Sequence, residues 1–427
     1  MKKQIFVLAF LASLLQGTCS FASILLVKEY GVNNTYPGIQ VALNAAANND
    51  TIVVYDKPSG QNWIENITID KNIWLMHPVD TVRFKLFGSI TIVPKAGMDL
   101  YLVGYDLQNN QIISTTTGAT ATSSNRAKIT VSNCQNITNI NFDQDWIDAR
   151  VVYNTVNISG TITFRHGLSI GNTLANSGII IQQESTIAAQ NDSIIIIGNK
   201  ARSCYFDTKE AGIIANNYFY NDNWNANYNT NAGQGNTLLI KYHNPSSAAI
   251  LGVYNNTVTN IGSAVGGYRG GIILFWASGF NHNNIKIVNN LIVCSDAGLG
   301  VWISGGTNTP FTSHNYLAIN GSNFVSYNVN NELNYYSGST VVNNSIDIWG
   351  RATSGNTLCI DKGNYLGEYY DINLTRNDIG TYGGPYSIDN YINTSNSKAG
   401  VLYINMPHTL TNINQLINVK ASAGSKF

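Results

Sequence analysis

IIANNYFYN, from Ile213 to Asn221, returns as VYNNTVTNI from Val253, IVNNLIVCS from Ile287 and VVNNSIDIW from Val341. Each copy joins an apolar stretch, a double asparagine and a second apolar run. No helix-length pattern lies between the copies, and recurrence every few tens of residues marks a solenoid whose repeats stack on one another. The spacing is 39 residues from Asn216 to Asn255, 34 from Asn255 to Asn289, 26 from Asn289 to Asn315 and 28 from Asn315 to Asn343. The shortest interval is close to one β-helix turn, and the longer ones are turns that carry loops. Asparagine suits such a corner twice over: it tolerates positive φ, and its amide can donate and accept along a ladder of equivalent residues in neighbouring coils.

Composition agrees. About one residue in seven is asparagine, there are 38 glycines and 8 prolines, and the runs between are rich in valine, isoleucine, threonine and tyrosine. That mixture predicts many short strands with tight corners. Strands are expected at TIVVY from Thr51, ITIDKNIWLM from Ile67, KITVS from Lys128, GIIIQ from Gly178 and SIIIIG from Ser193, among others. One helix is expected, over about residues 37–47, where Ile39, Leu43 and Ala46 follow i, i+4, i+7 spacing. Thr35 is placed to cap its start, and Asn48-Asn49-Asp50 to end it. A helix there would cover the open first coil, whose unpaired edge would otherwise invite association.

The chain begins MKKQIFVLAFLASLLQGTCSFAS, with two lysines, an apolar stretch from Ile5 to Leu15 and small residues at Ser20 and Ala22. This reads as a signal peptide over residues 1–22, giving an exported protein, whether extracellular, at the cell surface or periplasmic. A lipoprotein reading would use Cys19, but Gln16, Gly17 and Thr18 fit a lipidation pattern poorly. No transmembrane segment is expected after it. Charged residues are 11% of the chain and formal net charge is zero, which removes the electrostatic basis for binding nucleic acid. Cys134, Cys204, Cys294 and Cys359 lack metal-ligand spacing and sit in or beside apolar runs, so buried thiols are expected, with a disulfide between coils as the alternative.

The passage YPGIQVALNAAANNDTIVVYDKPSGQNWIENITIDKNIWLM, from Tyr36, resembles the opening of secreted bacterial right-handed parallel β-helix proteins of the pectate-lyase-like superfamily, and TRNDIGTYGGP from Thr375 resembles their closing phrase. The resemblance implies an all-β fold over residues 23–427: a single right-handed parallel β-helix with a short N-terminal capping helix and an end region over about 376–427. It implies that Glu65, in WIENIT, is structural. The resemblance leaves the reaction open, because this fold hosts lyases, hydrolases, epimerases, adhesins and binding proteins. The tail through VLYINMP is expected to add one more strand.

Members that cleave polysaccharides need either a base with carboxylate-neutralising cations, or carboxylates facing across the scissile bond. Neither the Arg-x-Pro-x-x-Arg of pectate lyases nor the Asp pair and Gly-His-Gly of polygalacturonases is present. Strands LLIKYHN, GIILFWAS and GLGVWIS, from Leu238, Gly271 and Gly298, instead predict a polar and aromatic stripe. With Leu238, Ile240 and Tyr242 inward, Lys241 and His243 point out, joined by Trp302 and by Phe275 or Trp276. Aromatic faces stack on sugars and neighbouring polar groups bind hydroxyls, so the leading expectation is polysaccharide binding by these residues. The competing expectation is that Trp276 and Trp302 fill wide coils. A lyase would use Lys241, or Arg269 in GGYRGG, as catalytic cation; an adhesive or purely structural protein is the third reading. Calcium is the candidate cofactor, at Asp143, Asp145 and Asp148 of FDQDWIDAR. His166, His282 and His314 have no assignable partner and are expected at loops or corners. The polar stretch from Asn221 to Asn236 is expected to be a loop beside the stripe.

Overall fold

The computed structural model describes residues 22–31, 35–78, 83–175, 178–182, 193–221, 237–242, 250–260, 270–274, 284–294, 299–303, 311–319, 330–332, 335–337, 346–354, 357–371, 373–392, 399–405 and 420–425. Residues 1–21 and the stretch 222–236 lie outside them.

One coil shows the plan. Ala211–Ala215 lies on the first face, Asn216 and Asn217 turn the corner, Tyr218–Asn221 forms the second face and Leu238–Tyr242 the third. Leu251–Tyr254 then returns to the first face beside Gly212–Ala215. Every neighbouring pair along the faces is parallel, so the chain is a parallel β-helix. Among the described residues, face one contains thirteen strands in sequential order. Faces two and three join where long early strands such as Thr155–Phe164 serve both: Thr155 and Val156 pair with Thr173 and Leu174, and Thr161–Phe164 pair with Gly178–Ile181.

Alternation puts one side chain in two into the bore. On face three the column Ile140, Ile162, Ile179, Cys204, Leu238, Ile272 is in register and buried throughout. Each such aliphatic side chain contributes roughly 1.5–3 kcal/mol relative to exposure, so the core grows coil by coil without a globular centre. Cys134, Cys204 and Cys359 are buried thiols. Burial pushes the Cys134 thiol up to about 12 and Cys204 higher still, so both are packing groups.

The asparagine corner divides its two jobs between two residues. The first position is left-handed: Asn216, Asn255 and Asn289 have φ of 53°, 52° and 61°. The second turns inward and forms the ladder. Asn217 N and Nδ2 both donate to Asn256 Oδ1, at 3.1 and 3.0 Å. Asn256 repeats this to Asn290, and Asn290 to Asn315. The in-register interval from Asn290 to Asn315 is therefore 25 residues, because Asn289 and Asn315 occupy different positions of the corner. Three earlier rungs, Asn154, Asn172 and Asn199, belong to the same ladder, which begins at the Cys134 N–H. Tyr153, Gly171 and Gly198 take the left-handed position there.

The capping helix is Ile39–Ala45, with Ile39, Leu43 and Ala46 buried as the spacing requires. Its N-cap is Gly38, not Thr35, and the cap comes from the coil beneath. Glu65 accepts the N–H groups of Ile39 and Gln40, each at 2.9 Å. Lys71 Nζ donates to the carbonyls of Leu43, Asn44 and Ala46 at the other end. A carboxylate at the first turn and an ammonium at the last satisfy orphan backbone groups and complement the helix dipole.

At the far end the chain turns back. Ile346 makes an antiparallel bridge to Ala352, and Ala399–Asn405 pairs antiparallel with Lys420–Ser425, so the tail forms a hairpin instead of one more coil strand. Between them, residues 361–391 form a strap along the outside of the asparagine corner. Asn364 N donates to Asn289 Oδ1 at 2.7 Å, Asn255 Nδ2 to Asp378 O at 2.8 Å, and Asn216 Nδ2 to Thr381 O at 3.0 Å. Tyr391 ends the run, packed with Tyr153, Ile170 and Ile197 on the outer side of face one.

Candidate functional site

On face three the inward column Phe142, Phe164, Ile181, Phe206, Ile240 is buried and in register. The residue after each points the other way. Asp207 and Lys241 are directly paired in this outward column, and Asp143, Arg165 and Gln182 continue its line as the first residues past the ends of their strands. Two candidates that are far apart in the sequence, the Asp143 group and Lys241, share this face.

The column has two charged ends. At one, Arg165 Nε donates to Asp143 Oδ1 at 2.7 Å and Nη1 to Asp145 Oδ1 at 3.1 Å. At the other, the Tyr205 hydroxyl donates to Asp207 Oδ2 at 2.8 Å, and Lys241 Nζ stands 5.1 Å from the centre of the Tyr205 ring. Burial, then the Asp207 charge, pushes the Tyr205 phenol well above its ordinary value, so it stays protonated as a donor. Ile240 and Tyr242 are in the core, but Lys241 is buried as well, at 9% exposed, so alternation gives its direction and not the open surface expected of it.

Asp148 does not join Asp143 and Asp145. It lies on face one, in register with Lys128 and His166 and 3.4 Å from Arg150. Among the described residues no three His, Cys, Asp or Glu groups converge to hold a metal ion. Arg165 supplies the positive charge that calcium would have supplied to Asp143 and Asp145.

Trp302 sits in Leu299–Ile303, with its Cα beside Ile273, which pairs in turn with Leu239. This column lies two residues before that of Lys241 in the strand, hence at the same parity. His243, Arg269, Phe275 and Trp276 lie outside the described residues, as do His282 and the loop 222–236. Asp143 and Asp207 are three coils apart, about 14 Å at a strand spacing of about 4.8 Å, beyond the roughly 5–9.5 Å of glycosidase pairs.

Sequence reasoning missed Arg165, Tyr205 and Asp207. The signal was present as a charged residue after an inward phenylalanine, in Phe142-Asp143, Phe164-Arg165 and Phe206-Asp207. His166 also departs from expectation, since it is buried and partnered: Nδ1 lies 2.8 Å from Glu210 Oε1, two coils on, and Nε2 lies 3.2 Å from Arg126 Nη2. The group packs the corner between faces three and one. His314 is a corner residue as expected, with φ of 53° and its ring edge-on to Tyr365.

Among the described residues no helix is long and apolar enough to cross a membrane. Comparison of the chain with protein-family models, curated proteins and solved structures gave no match.

Proposed function

We propose that this is an exported β-helix protein, akin to the pectate-lyase-like superfamily, that binds a polysaccharide along face three. The observation that carries the reading is the outward column Asp143, Arg165, Gln182, Asp207, Lys241, with the Tyr205 ring beside its Lys241 end. Polar groups repeating at one coil, about 4.8 Å, match the repeat of an extended glycan far better than they match a compact ligand. The Tyr205 ring offers an apolar surface to a sugar face, and Lys241 and Arg165 offer donors to hydroxyls or carboxylates.

Affinity electrophoresis tests this. The mature protein is run through gels containing neutral or acidic polysaccharides, while ultraviolet absorbance and reducing ends are followed in parallel. Retarded migration in at least one gel, lost in the double variant Asp207→Asn/Lys241→Met, supports binding on this face. Retardation that survives the double variant would move the site elsewhere. A rise in absorbance would replace binding by lyase action, and new reducing ends by hydrolysis.

A further inference from the structure

A second recess lies on another face. Its floor is the outer side of face one, where Ile213, Gly252 and Lys286 follow one another in register. Gly252 has a reason to be glycine: a Cβ there would stand 2.2 Å from the Tyr254 ring, so the ring lies over the bare backbone. The strap supplies the opposite wall with Tyr369 and Tyr386. Tyr369 meets Tyr254 edge-on, with ring centres 5.6 Å apart. The cavity is about 160 Å³, room for one sugar ring and not for the interior of a chain.

Its chemistry is one-sided. Lys286 is only partly exposed on the wall, and no described carboxylate forms an ion pair with it. Asn216 also lines the cavity; it is fully buried, its Nδ2 is engaged by Thr381 O and Gly383 O, and its Oδ1 accepts no hydrogen bond. Three tyrosines give ring faces and hydroxyls; a cation without a counter-charge asks for an anion.

We propose that this cleft binds a single acidic sugar unit, free or at a chain end, with its negative group on Lys286 and its ring against Tyr254. The site stands apart from face three and does not depend on polysaccharide binding there.

Titration calorimetry of the whole mature protein with glucuronate, glucose 6-sulfate, glucose and benzoate tests it. At least one acidic sugar is expected to bind, with glucose and benzoate each weaker by about tenfold or more, equivalent to about 1.4 kcal/mol. Lys286→Met should remove the preference for acid over neutral sugar, while Lys128→Met, at an exposed lysine of neither site, leaves it intact. Should Lys286→Met unfold, the same preference is read on wild-type protein as a ligand-dependent rise in Tm that disappears at high salt. No binding of either acidic sugar overturns the proposal, as does equal binding of glucose or benzoate, or an effect of Lys128→Met as large as that of Lys286→Met.

Discussion

The asparagine ladder and the outward column of face three are built by the same rule and end with opposite characters. Both place one residue per coil in line. From Asn154 to Asn315 the ladder keeps one residue type, and each amide passes its hydrogen bonds to the next. The column on face three changes at every step, through Asp143, Arg165, Gln182, Asp207 and Lys241, and satisfies itself in local pairs. Uniformity suits an interior, where every buried donor must meet an acceptor at fixed spacing. Variety suits a surface that distinguishes positions along a partner.

The largest effect should come from breaking a rung. Asn256→Ala leaves Ile214 O and the Asn217 N–H without their partner in the interior, while Asn217 Nδ2 keeps Ile196 O and Ala215 O. At roughly 1–3 kcal/mol for each buried group left unsatisfied, the net loss should be about 3–5 kcal/mol, read as a fall in the urea midpoint. A loss below about 1 kcal/mol would mean that water replaces the rung and that the ladder is not what aligns the coils.

Next in size is the left-handed position beside the ladder. At Gly198, φ is 65° and an added Cβ would meet Tyr391 at 2.2 Å. Gly198→Ala should cost about 2 kcal/mol from the left-handed backbone alone, and also loosen the strap. Limited proteolysis should then cut near Tyr391 while the coils stay resistant; unchanged cleavage would separate the corner from the strap.

The outward column should respond the other way round. Lys241→Met keeps the side-chain volume, and Asp207 keeps its Tyr205 donor, so the urea midpoint should move by no more than about 1 kcal/mol. Polysaccharide affinity should fall by about tenfold, or about 1.4 kcal/mol. Equal losses of stability and binding would erase the distinction between the two lines of residues.

These differences explain what could be read in advance. The ladder was visible as Asn-Asn because three adjacent coils use asparagine for both corner roles. It was hidden at Tyr153-Asn154, Gly171-Asn172 and Gly198-Asn199, where other residues supply the positive φ. The helix was legible from spacing; its clamps were not, since Glu65 and Lys71 reach it from the coil below. The strap left no periodic trace, because it docks largely through backbone groups and contacts such as Asn216 to Thr381 span 165 residues. On face three, Lys241 was found by alternation, whereas Arg165 and Asp207 required knowing which strands stack.

The smallest expected effect is a pH slope, and it should belong to the strap alone, since the ladder carries no titrating group. Burial raises the Asp371 carboxyl from its ordinary 3.8 to about 6; the Gly384 N–H it accepts at 2.6 Å opposes this, and the Asp378 and Asp361 charges add to it. The folded strap therefore keeps a proton that the undocked chain has released between about pH 4 and pH 6. With more protons on the folded side, stability falls as pH rises through that window and is level above it. Hydrogen exchange of the strap amides, corrected for intrinsic rates, should show more protection at pH 4.5 than at pH 7, with ladder amides equal at both. Asp371→Asn keeps the oxygen facing Gly384 and removes the charge, so it should flatten the profile at the protected level. Protection that instead increased with pH would mean that the Asp371 charge holds the strap down, and that electrostatics act at the ladder corner as well as on face three.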